Sequence, residues 1–248
     1  MMDKKDNSIV IDIKDLKKSF GDMKVLEGIS LQLHEEENLV ILGKSGSGKS
    51  VLIKCIVNLL SHDEGSIKVG DYELTDINEE DLVEVRKKTG FLFQSAALYD
   101  SMTVKENLMF ALSRLDEKFS KQEIDTKIVE VLENVGLPDA IDKMPSELSG
   151  GMKKRIGLAR TLIVNPKIIL YDEPTTGLDP ITSNEISELI NETKNKFHNS
   201  SIIITHDINC VKKVADRIAM IKDGKVYKEG ALEEFVTNDD PYIQSFFK

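Results

Sequence analysis

The sequence predicts an α/β fold: a core of parallel strands and helices that also carries an antiparallel β subdomain and an inserted helical subdomain. Apolar and polar residues alternate over residues 9–20 and 29–34, as in half-buried antiparallel strands. Continuous apolar runs, typical of parallel strands buried on both faces, lie at residues 39–42, 168–170 and 202–204. Between about residues 95 and 165 the spacing becomes helical, which predicts a helical insertion between core strands.

The remaining elements follow in order along the chain. Turn residues Gly70 and Asp71 predict a short strand pair, and Asn78 is a candidate cap for the helix that follows. Predicted helices cover residues 51–57, 78–88, 104–115, 121–135, 150–164, 181–197 and 208–215. Predicted strands cover residues 65–74 as a pair, residues 91–93, where the strand ends at Gln94, and a closing hairpin of residues 218–221 and 225–228. The acidic run at residues 35–37 is interpreted as a solvated turn.

A glycine-rich loop joins the first buried strand to the helix that begins near Val51. It matches the phosphate-binding pattern G-x-x-x-x-G-K-[ST] with no mismatch, in the residues Gly43, Lys44, Ser45, Gly46, Ser47, Gly48, Lys49 and Ser50. Its glycines let backbone N–H groups face phosphate oxygens without an intervening Cβ, and the helix N-terminus adds partial positive charge. Lys49 is placed to reach the β- and γ-phosphates, and the Ser50 hydroxyl to bind Mg²⁺. Taken alone, the motif leaves open a glycine turn that binds nothing.

Two carboxylates, Asp172 and Glu173, end the buried strand that starts at residue 168. Ligands of open α/β sheets bind at this end of the strands. We expect Asp172 to hold Mg²⁺, largely through its waters, opposite Ser50. Glu173 is placed to polarise, or accept a proton from, the water that attacks the γ-phosphate. The alternative is a pair of acidic residues at the surface.

A third motif covers residues 148–152, just before a predicted helix. Ser149 is a candidate N-cap, and Gly150 and Gly151 let backbone N–H groups approach an anion. The basic residues at 153–155 oppose the helix dipole, which favours anion binding over a purely structural cap.

Composition limits the class of protein. The chain has 248 residues, 40% of them hydrophobic, enough for one large domain or two lobes sharing a core. A net charge of −10 leaves no basic excess for nucleic acid, so no nucleic-acid partner is expected. Cys55 and Cys210 form neither a disulfide framework nor a metal-ligand spacing, which suits a reducing cytosol. Residues 1–8 lack the apolar region of a signal peptide, and no run approaches the roughly 18 apolar residues of a membrane span.

With these motifs in order, the chain resembles the ATP-binding-cassette (ABC) transporter ATPases over essentially its full length. Residues 43–50 match the Walker A loop, 168–173 match Walker B, and 148–152 are similar to the LSGGQ signature. The resemblance implies that Phe20 stacks on adenine and that Gln94 senses Mg²⁺ and the γ-phosphate. It also implies that Asp179 belongs to the D-loop and that His206 is the switch histidine.

The resemblance implies a single ABC ATPase domain over residues 1–248. A RecA-like P-loop NTPase core with the β subdomain would take about residues 1–94 and 166–248, and the helical subdomain with the signature about residues 95–165. ATP and Mg²⁺ are the implied cofactors. The implied catalytic residues are Glu173, His206, Lys49 and Gln94, and the implied metal contacts are Ser50, Gln94 and Asp172. The implied nucleotide contacts are Phe20, Gly43, Lys44, Ser45, Gly46, Ser47, Gly48, Lys49, Ser50, Val51, Ser149, Gly150, Gly151 and Asp179.

The family also implies partners. A second copy would bind head to tail, with two ATPs between the Walker residues of one subunit and Ser149, Gly150 and Gly151 of the other. Binding of ATP would close the pair, hydrolysis would release it, and Gln94 would carry the motion to integral-membrane permease subunits.

The signature departs from the family at Met152, where glutamine is usual. Methionine lacks the amide donors and the carbonyl of glutamine. Because the expected phosphate contacts come mainly from Ser149 and the two glycines, we expect activity to survive. The alternative is a poorly hydrolysing cassette.

Residues 93–100, 144–155 and 240–247 resemble the ATPase of bacterial Mla (maintenance of lipid asymmetry) and related MCE-type lipid transporters. This narrower resemblance implies phospholipid transport from the cytoplasmic face of the inner membrane. An MCE-type substrate-binding protein and a small regulatory subunit are then possible partners. Phe246 and Phe247 are expected either in a dimer or partner contact or docked on the core.

Other functions stay open at this point. An ABC importer for amino acids has a similar length and layout, because the substrate is selected by the permease. A non-transport ABC protein acting on DNA or ribosomes usually has two fused cassettes or coiled-coil insertions, which this chain lacks. A nucleotide-binding module without turnover is disfavoured by the intact set of Lys49, Asp172, Glu173 and His206.

Overall fold

The computed structural model describes residues 8–115 and 117–247. Residues 1–7, part of the segment for which no signal peptide is predicted, lie outside the described residues. Among the described helices, none combines the length and the apolar character that a bilayer-spanning segment needs.

The first sheet is antiparallel, as the alternating pattern predicts. Its four strands have the order β2-β1-β4-β5. In its register Ile13 lies opposite Leu31 on one side and Ile67 on the other, so alternate residues of all three strands share one buried face. The strands are β1 (Ile9–Phe20), β2 (Met23–His34), β4 (Glu64–Val69) and β5 (Tyr72–Glu73).

The second sheet has six strands in the order β10-β9-β3-β8-β7-β6. All neighbours are parallel except the predicted hairpin of β9 and β10. Every residue of β3, β7 and β8 is buried, as the continuous apolar runs predict. The strands are β3 (Asn38–Leu42), β6 (Thr89–Leu92), β7 (Ile168–Asp172), β8 (Ser200–Ile204), β9 (Arg217–Lys222) and β10 (Lys225–Gly230).

Helices flank the sheets, and polar caps explain several of their starts. Asn78 accepts a hydrogen bond from the Asp81 N–H, and Thr103 and Ser120 each form a capping box with a glutamate three residues later. The helices are α1 (Lys49–Ile56), α2 (Glu79–Lys88), α3 (Val104–Leu112), α4 (Lys121–Asn134), α5 (Gly150–Leu162), α6 (Pro180–Phe197), α7 (Ile208–Val214), α8 (Leu232–Val236) and α9 (Pro241–Phe247). Helices α3, α4 and α5 all lie between β6 and β7 in sequence.

Three element predictions need correction. The sequence pattern does not predict helices α8 and α9. The strand predicted over residues 91–93 is β6, whose bounds are shifted, since it starts at Thr89 and ends at Leu92. Both C-terminal helices are short segments whose order comes from packing, since Phe235 and Ile243 are almost fully buried. Phe246 and Phe247 are half-buried against the core of their own chain.

The parallel sheet separates two hydrophobic clusters. Leu39 and Ile41 of β3 face the antiparallel sheet and α1, whereas Val40 and Leu42 face the helices from α3 to α7. Burying each such side chain contributes about 1.5–3 kcal/mol. The central strand β3 is therefore held rigidly from both sides, and the phosphate-binding loop begins directly at its end.

The acidic run at residues 35–37 is not a solvated turn throughout. Glu35 is exposed, but Glu37 is only 9% exposed and binds the Arg217 guanidinium through both oxygens, at 2.7 and 2.9 Å. Arg217 also donates to the carbonyl of Gln32 at 2.6 Å, and Glu37 accepts from the His34 N–H at 2.9 Å. The turn into β3 is thus fixed to the first residue of its neighbour β9.

Candidate functional site

The candidate site lies where three adjacent strands of the parallel sheet end. The order β3-β8-β7 brings together the phosphate-binding loop after β3, the carboxylates after β7 and the Thr205–His206 step after β8. Ligands of open α/β sheets bind at this edge. The structure thus collects residues from three separate stretches of sequence.

The loop has the backbone that its glycines allow. Gly48, at the N-cap position of α1, has a φ of 95°, and a Cβ there would lie 2.8 Å from a methyl of Leu26 and 2.9 Å from the carbonyl of Val25. Gly46 has a φ of 79°, and a Cβ there would meet nothing within 4 Å. Gly48 therefore lets the loop pack against β2, while Gly46 faces open space that a ligand can enter.

Lys49 lies under this loop and is 7% exposed. Its ammonium donates to the carbonyl oxygens of Gly43 at 2.8 Å and Lys44 at 3.0 Å. Burial lowers the pKa of Lys49, and the nearby Glu173 and Asp172 carboxylates partly offset that effect. The lysine is thus fixed by the loop that it is expected to serve.

Ser50 and Asp172 are joined across the site. The Ser50 hydroxyl donates to Oδ1 of Asp172 at 3.2 Å. Burial raises the pKa of Asp172, while the Ser50 hydrogen bond acts in the opposite direction. Hydroxyl and carboxylate oxygens suit Mg²⁺, which binds through one or two protein ligands plus phosphates and water. Over the described residues no three His, Cys, Asp or Glu side chains cluster to hold a metal, so a cation here would rely on that mixed ligand set.

Glu173 and His206 form a second pair beside the first. Nδ1 of His206 lies 2.8 Å from Oε2 of Glu173, and the Thr176 hydroxyl donates to the same oxygen at 3.0 Å. Glu173 has a φ of 52°, a left-handed conformation that costs about 1–3 kcal/mol for a residue with a side chain. Its N–H is fixed by the Ile204 carbonyl at 2.9 Å. The fold thus holds a strained glutamate at the place where a water-activating group is expected.

Two positioning residues of this site were missed in the sequence, Thr176 and Lys154. Lys154 is 6% exposed, and its ammonium donates to the carbonyls of Gln94 and Glu173, the latter at 3.2 Å. Burial lowers its pKa. A signal was present, because Lys154 lies three residues after Gly151 and four before Leu158, on the buried face of α5.

The basic start of α5 therefore needs reinterpretation. Lys154 binds backbone carbonyls, and Arg155 binds the Glu185 carboxylate at 2.5 Å and the Val135 carbonyl at 3.3 Å. Both side chains hold neighbouring elements together. Their presence is no argument for an anion at Ser149.

The motif at residues 148–152 starts α5 as expected. The Ser149 hydroxyl accepts from the Met152 N–H at 3.2 Å. Ser149 and Gly150 are exposed, whereas a Cβ at Gly151 would lie 2.4 Å from a methyl of Thr182 in α6. No hydrogen bond or ion pair joins Ser149 or Gly150 to the phosphate-binding loop in the part of the chain that the structure describes.

Three further predicted site residues, Asp179, Gln94 and Phe20, lie in separate parts of the fold. Asp179 caps α6, accepting from the Ile181 and Thr182 N–H groups and from the Thr182 hydroxyl, which together lower its pKa. Gln94 is exposed just after β6. Phe20, at the end of β1, is 44% exposed with the Lys18 ammonium 5.5 Å from its ring centre, so part of the ring is accessible to a ligand.

Comparisons with known proteins agree on the family of this chain. The family model described as ABC transporter matches residues 26–176. Among curated proteins, the chain is 36% identical to the chloroplastic protein TRIGALACTOSYLDIACYLGLYCEROL 3 of Arabidopsis thaliana, over 97% of this chain and 74% of that protein. It is 40% identical to the methionine import ATP-binding protein MetN of Clostridium tetani, over 91% of this chain and 70% of that protein. It is 37% identical to a probable ribonucleotide transport ATP-binding protein, mkl, of Mycobacterium leprae, over 96% and 68%.

Solved structures agree with the fold. The dimeric ATP-binding cassette MJ0796, bound to ADP and Pi in a post-hydrolysis state, superposes with a TM-score of 0.81 at 30% identity, over 90% of this chain and 98% of that chain. CbiO1 of Clostridium perfringens, part of the cbiONQ transporter complex, gives a TM-score of 0.83 at 29% identity, over 91% and 90%. The RecA-like core predicted from the sequence is thereby confirmed.

Proposed function

The chain belongs to the ABC transporter family as an ATP-hydrolysing ATP-binding subunit, and on this premise we propose that it energises phospholipid transport of the Mla or MCE type. Support for a lipid comes from the resemblance of residues 93–100, 144–155 and 240–247 to that subfamily. A 36% identical relative also carries the name of a glycolipid.

The observation that carries the catalytic proposal is the pairing of Ser50 with Asp172 beside the pairing of Glu173 with His206. Loop amides and Lys49 bind the ATP phosphates, with Lys49 exchanging loop carbonyls for phosphate oxygens. Ser50, Asp172 and the side chain of Gln94 would hold Mg²⁺, which when bound neutralises phosphate charge.

Glu173 is the proposed base or water-positioning group. Its Oε2 is held by His206 and Thr176, which leaves Oε1 to accept a hydrogen bond from the attacking water. His206, 62% exposed at its side chain, can also reach the γ-phosphate. The Lys154 ammonium donates to the backbone carbonyls of both Gln94 and Glu173. A displacement of one carbonyl therefore changes the position of the other.

The second half of the nucleotide site is proposed to come from another copy. Ser149 and Gly150 are exposed, and they make no contact with their own phosphate-binding loop among the described residues. In a head-to-tail dimer they would meet the γ-phosphate across the interface near Asp179, while Phe20 stacks on adenine. We propose that residues from about 95 to 165 move as one helical subdomain when this interface closes.

The proposed setting is the cytoplasmic face of a bacterial inner membrane, reached through integral-membrane permease subunits. An MCE-type substrate-binding protein and a small regulatory subunit would complete the complex. A methionine-type importer is the second candidate, because MetN of Clostridium tetani is 40% identical to this chain.

The test is an affinity purification of tagged Glu173→Gln protein from native membranes in mild detergent, with ATP present. Proteins and bound lipids are identified by mass spectrometry, and Glu192→Gln, an exposed glutamate on α6, is the matched control. Copurification of a permease, an MCE-type protein and phospholipid is the expected result, and Glu192→Gln, which leaves the proposed site intact, should retain the same partners. A periplasmic amino-acid receptor would favour the importer, and the absence of any membrane protein would contradict a role in transport.

A further inference from the structure

We infer that Tyr242 of α9 is a positioning residue for ATP binding, because its ring holds Lys44 of the phosphate-binding loop. The Lys44 ammonium lies 5.1 Å from the centre of the Tyr242 ring, within the range of a cation–π contact. The inference rests on the proposed function of the loop in phosphate binding. It assigns a role in that function to the C-terminal helix.

Lys44 is held at two points. Its carbonyl accepts a hydrogen bond from the Lys49 ammonium at 3.0 Å, and its side chain lies over Tyr242. Lys44 is otherwise exposed. The contact with Tyr242 therefore connects α9, about two hundred residues later in the chain, to the loop that carries the catalytic lysine.

Tyr242 is itself held by several contacts, although it is only partly buried. Its ring packs edge-on against Tyr227 and Phe246, each with ring centres 5.4 Å apart. The Lys222 ammonium lies 4.4 Å from the same ring. Asp240 accepts from the Tyr242 N–H at 2.8 Å and from the Tyr227 hydroxyl at 2.6 Å. A ring so constrained offers Lys44 one defined position.

The physical consequence is preorganisation. A free lysine side chain and a mobile loop lose conformational freedom when phosphates bind, and that loss weakens affinity. Here the ordering is completed when α9 docks, with Ile243 2% exposed beneath it. ATP then binds a loop that is already arranged, and by linkage bound nucleotide stabilises the docked α9.

The test compares nucleotide binding and turnover in variants of the full chain. Mg-ADP affinity is measured by calorimetry for the wild type, Tyr242→Leu, Tyr242→Phe, Lys44→Ala and the Lys44→Ala/Tyr242→Leu double variant. We expect Tyr242→Leu to raise Kd about three- to tenfold and Tyr242→Phe, which keeps the ring, to stay near the wild type. The double variant should bind like Lys44→Ala alone, because the Tyr242 ring is proposed to act only through Lys44. In ATPase assays of Tyr242→Leu, the KM for ATP should rise while kcat stays unchanged.

Tyr72→Leu is the matched control. Tyr72 of β5 lies under the ammonium of Lys88, the last residue of α2, at 5.2 Å; this is a similar pair away from the phosphate-binding loop, so its loss should leave Kd unchanged. Wild-type affinity in Lys44→Ala, or additive effects in the double variant, would overturn the inference even if Tyr242→Leu fails to fold. Failure of the wild type itself to bind Mg-ADP would contradict the proposed nucleotide site and not the role of Tyr242 alone.

Discussion

Asp172 is a buried carboxylate whose position lowers the free energy of unfolding of the chain. The carboxyl group is only 9% exposed, and both burial and the neighbouring Glu173 raise its pKa above the ordinary value of 3.8. In the pH range between the unfolded and folded pKa values the folded chain binds more protons. The free energy of unfolding therefore falls as pH rises through that range. Above its folded pKa the ionised Asp172 therefore destabilises the fold in the absence of nucleotide.

We therefore expect Asp172→Asn to raise the melting temperature at pH 7 without nucleotide, because the variant buries no charge at this position, while ATP hydrolysis is lost. The gain should shrink as pH is lowered through the folded pKa of Asp172, because the wild-type carboxyl is then protonated too. Differential scanning fluorimetry across pH measures it. Asp125→Asn is the control, since Lys105 lowers the pKa of that exposed carboxyl and no gain is expected. A melting temperature at or below the wild type would show that burial of the charge has no net cost.

At the scale of elements, two neighbouring glycines of α5 have different tasks. A Cβ at Gly151 would lie 2.4 Å from a methyl of Thr182, so this glycine allows α5 and α6 to approach closely. At Gly150 the nearest atom would be 3.5 Å away, an ordinary contact with Leu178.

We expect Gly151→Ala to lower stability by about 1–3 kcal/mol through overpacking, and Gly150→Ala to leave stability within about 0.5 kcal/mol of the wild type. Urea unfolding of both variants, followed by circular dichroism, gives the comparison. Equal destabilisation by the two substitutions would contradict the difference in packing.

The turn into β3 gives a second prediction at this scale. Glu37 is the buried partner of Arg217, so Glu37→Gln should leave a guanidinium without its main counter-charge and lower stability by about 3 kcal/mol. Glu35→Gln is the matched control from the same acidic run, because Glu35 is exposed and its carboxylate accepts a hydrogen bond from the Ser8 hydroxyl instead of an ion pair with an arginine. Chemical denaturation separates the two, and a Glu37→Gln variant as stable as the control would rule out a structural role for the pair.

These examples show which features the sequence could predict. The phosphate-binding loop and the carboxylates at the end of β7 are contiguous residues with a fixed spacing, so their local structure follows from the residues themselves. Glu37 could not be distinguished from Glu35, because its partner Arg217 is 180 positions away. The contact of Lys154 with Gln94 and Glu173 likewise exists only after the helix has packed on the sheet.

The C-terminal helices illustrate a different limit. Asp240 followed by Pro241 is a local start signal for a helix. However, α8 and α9 have five and seven residues, too few for hydrophobic periodicity to appear. Their order depends on burial of Phe235 and Ile243 against distant elements, which no local pattern encodes.

For the whole molecule, the exposure of Ser149 and Gly150 predicts that ATP changes the oligomeric state from monomer to dimer. Glu173→Gln should remain monomeric without nucleotide and form a dimer with ATP, as measured by size-exclusion chromatography with light scattering. Adding Gly150→Asp should abolish the dimer while the monomer stays folded, because a Cβ there makes only an ordinary contact with Leu178, whereas the carboxylate repels the γ-phosphate. A dimer that persists in the double variant would exclude the proposed interface.

The strand order has a consequence for how the chain is made. Strand β3 pairs only with β8 and β9 in the described structure, so its neighbours lie at residues 200–204 and 217–222. At roughly 5–20 residues per second, a ribosome needs on the order of ten seconds or more after β3 to supply them. During that time the five apolar-rich residues of β3 have no partner, and the loop that follows has no rigid base. A nascent chain therefore exposes an unpaired apolar strand that a chaperone can shield, and it acquires its nucleotide pocket only after β8 and β9 have been synthesised.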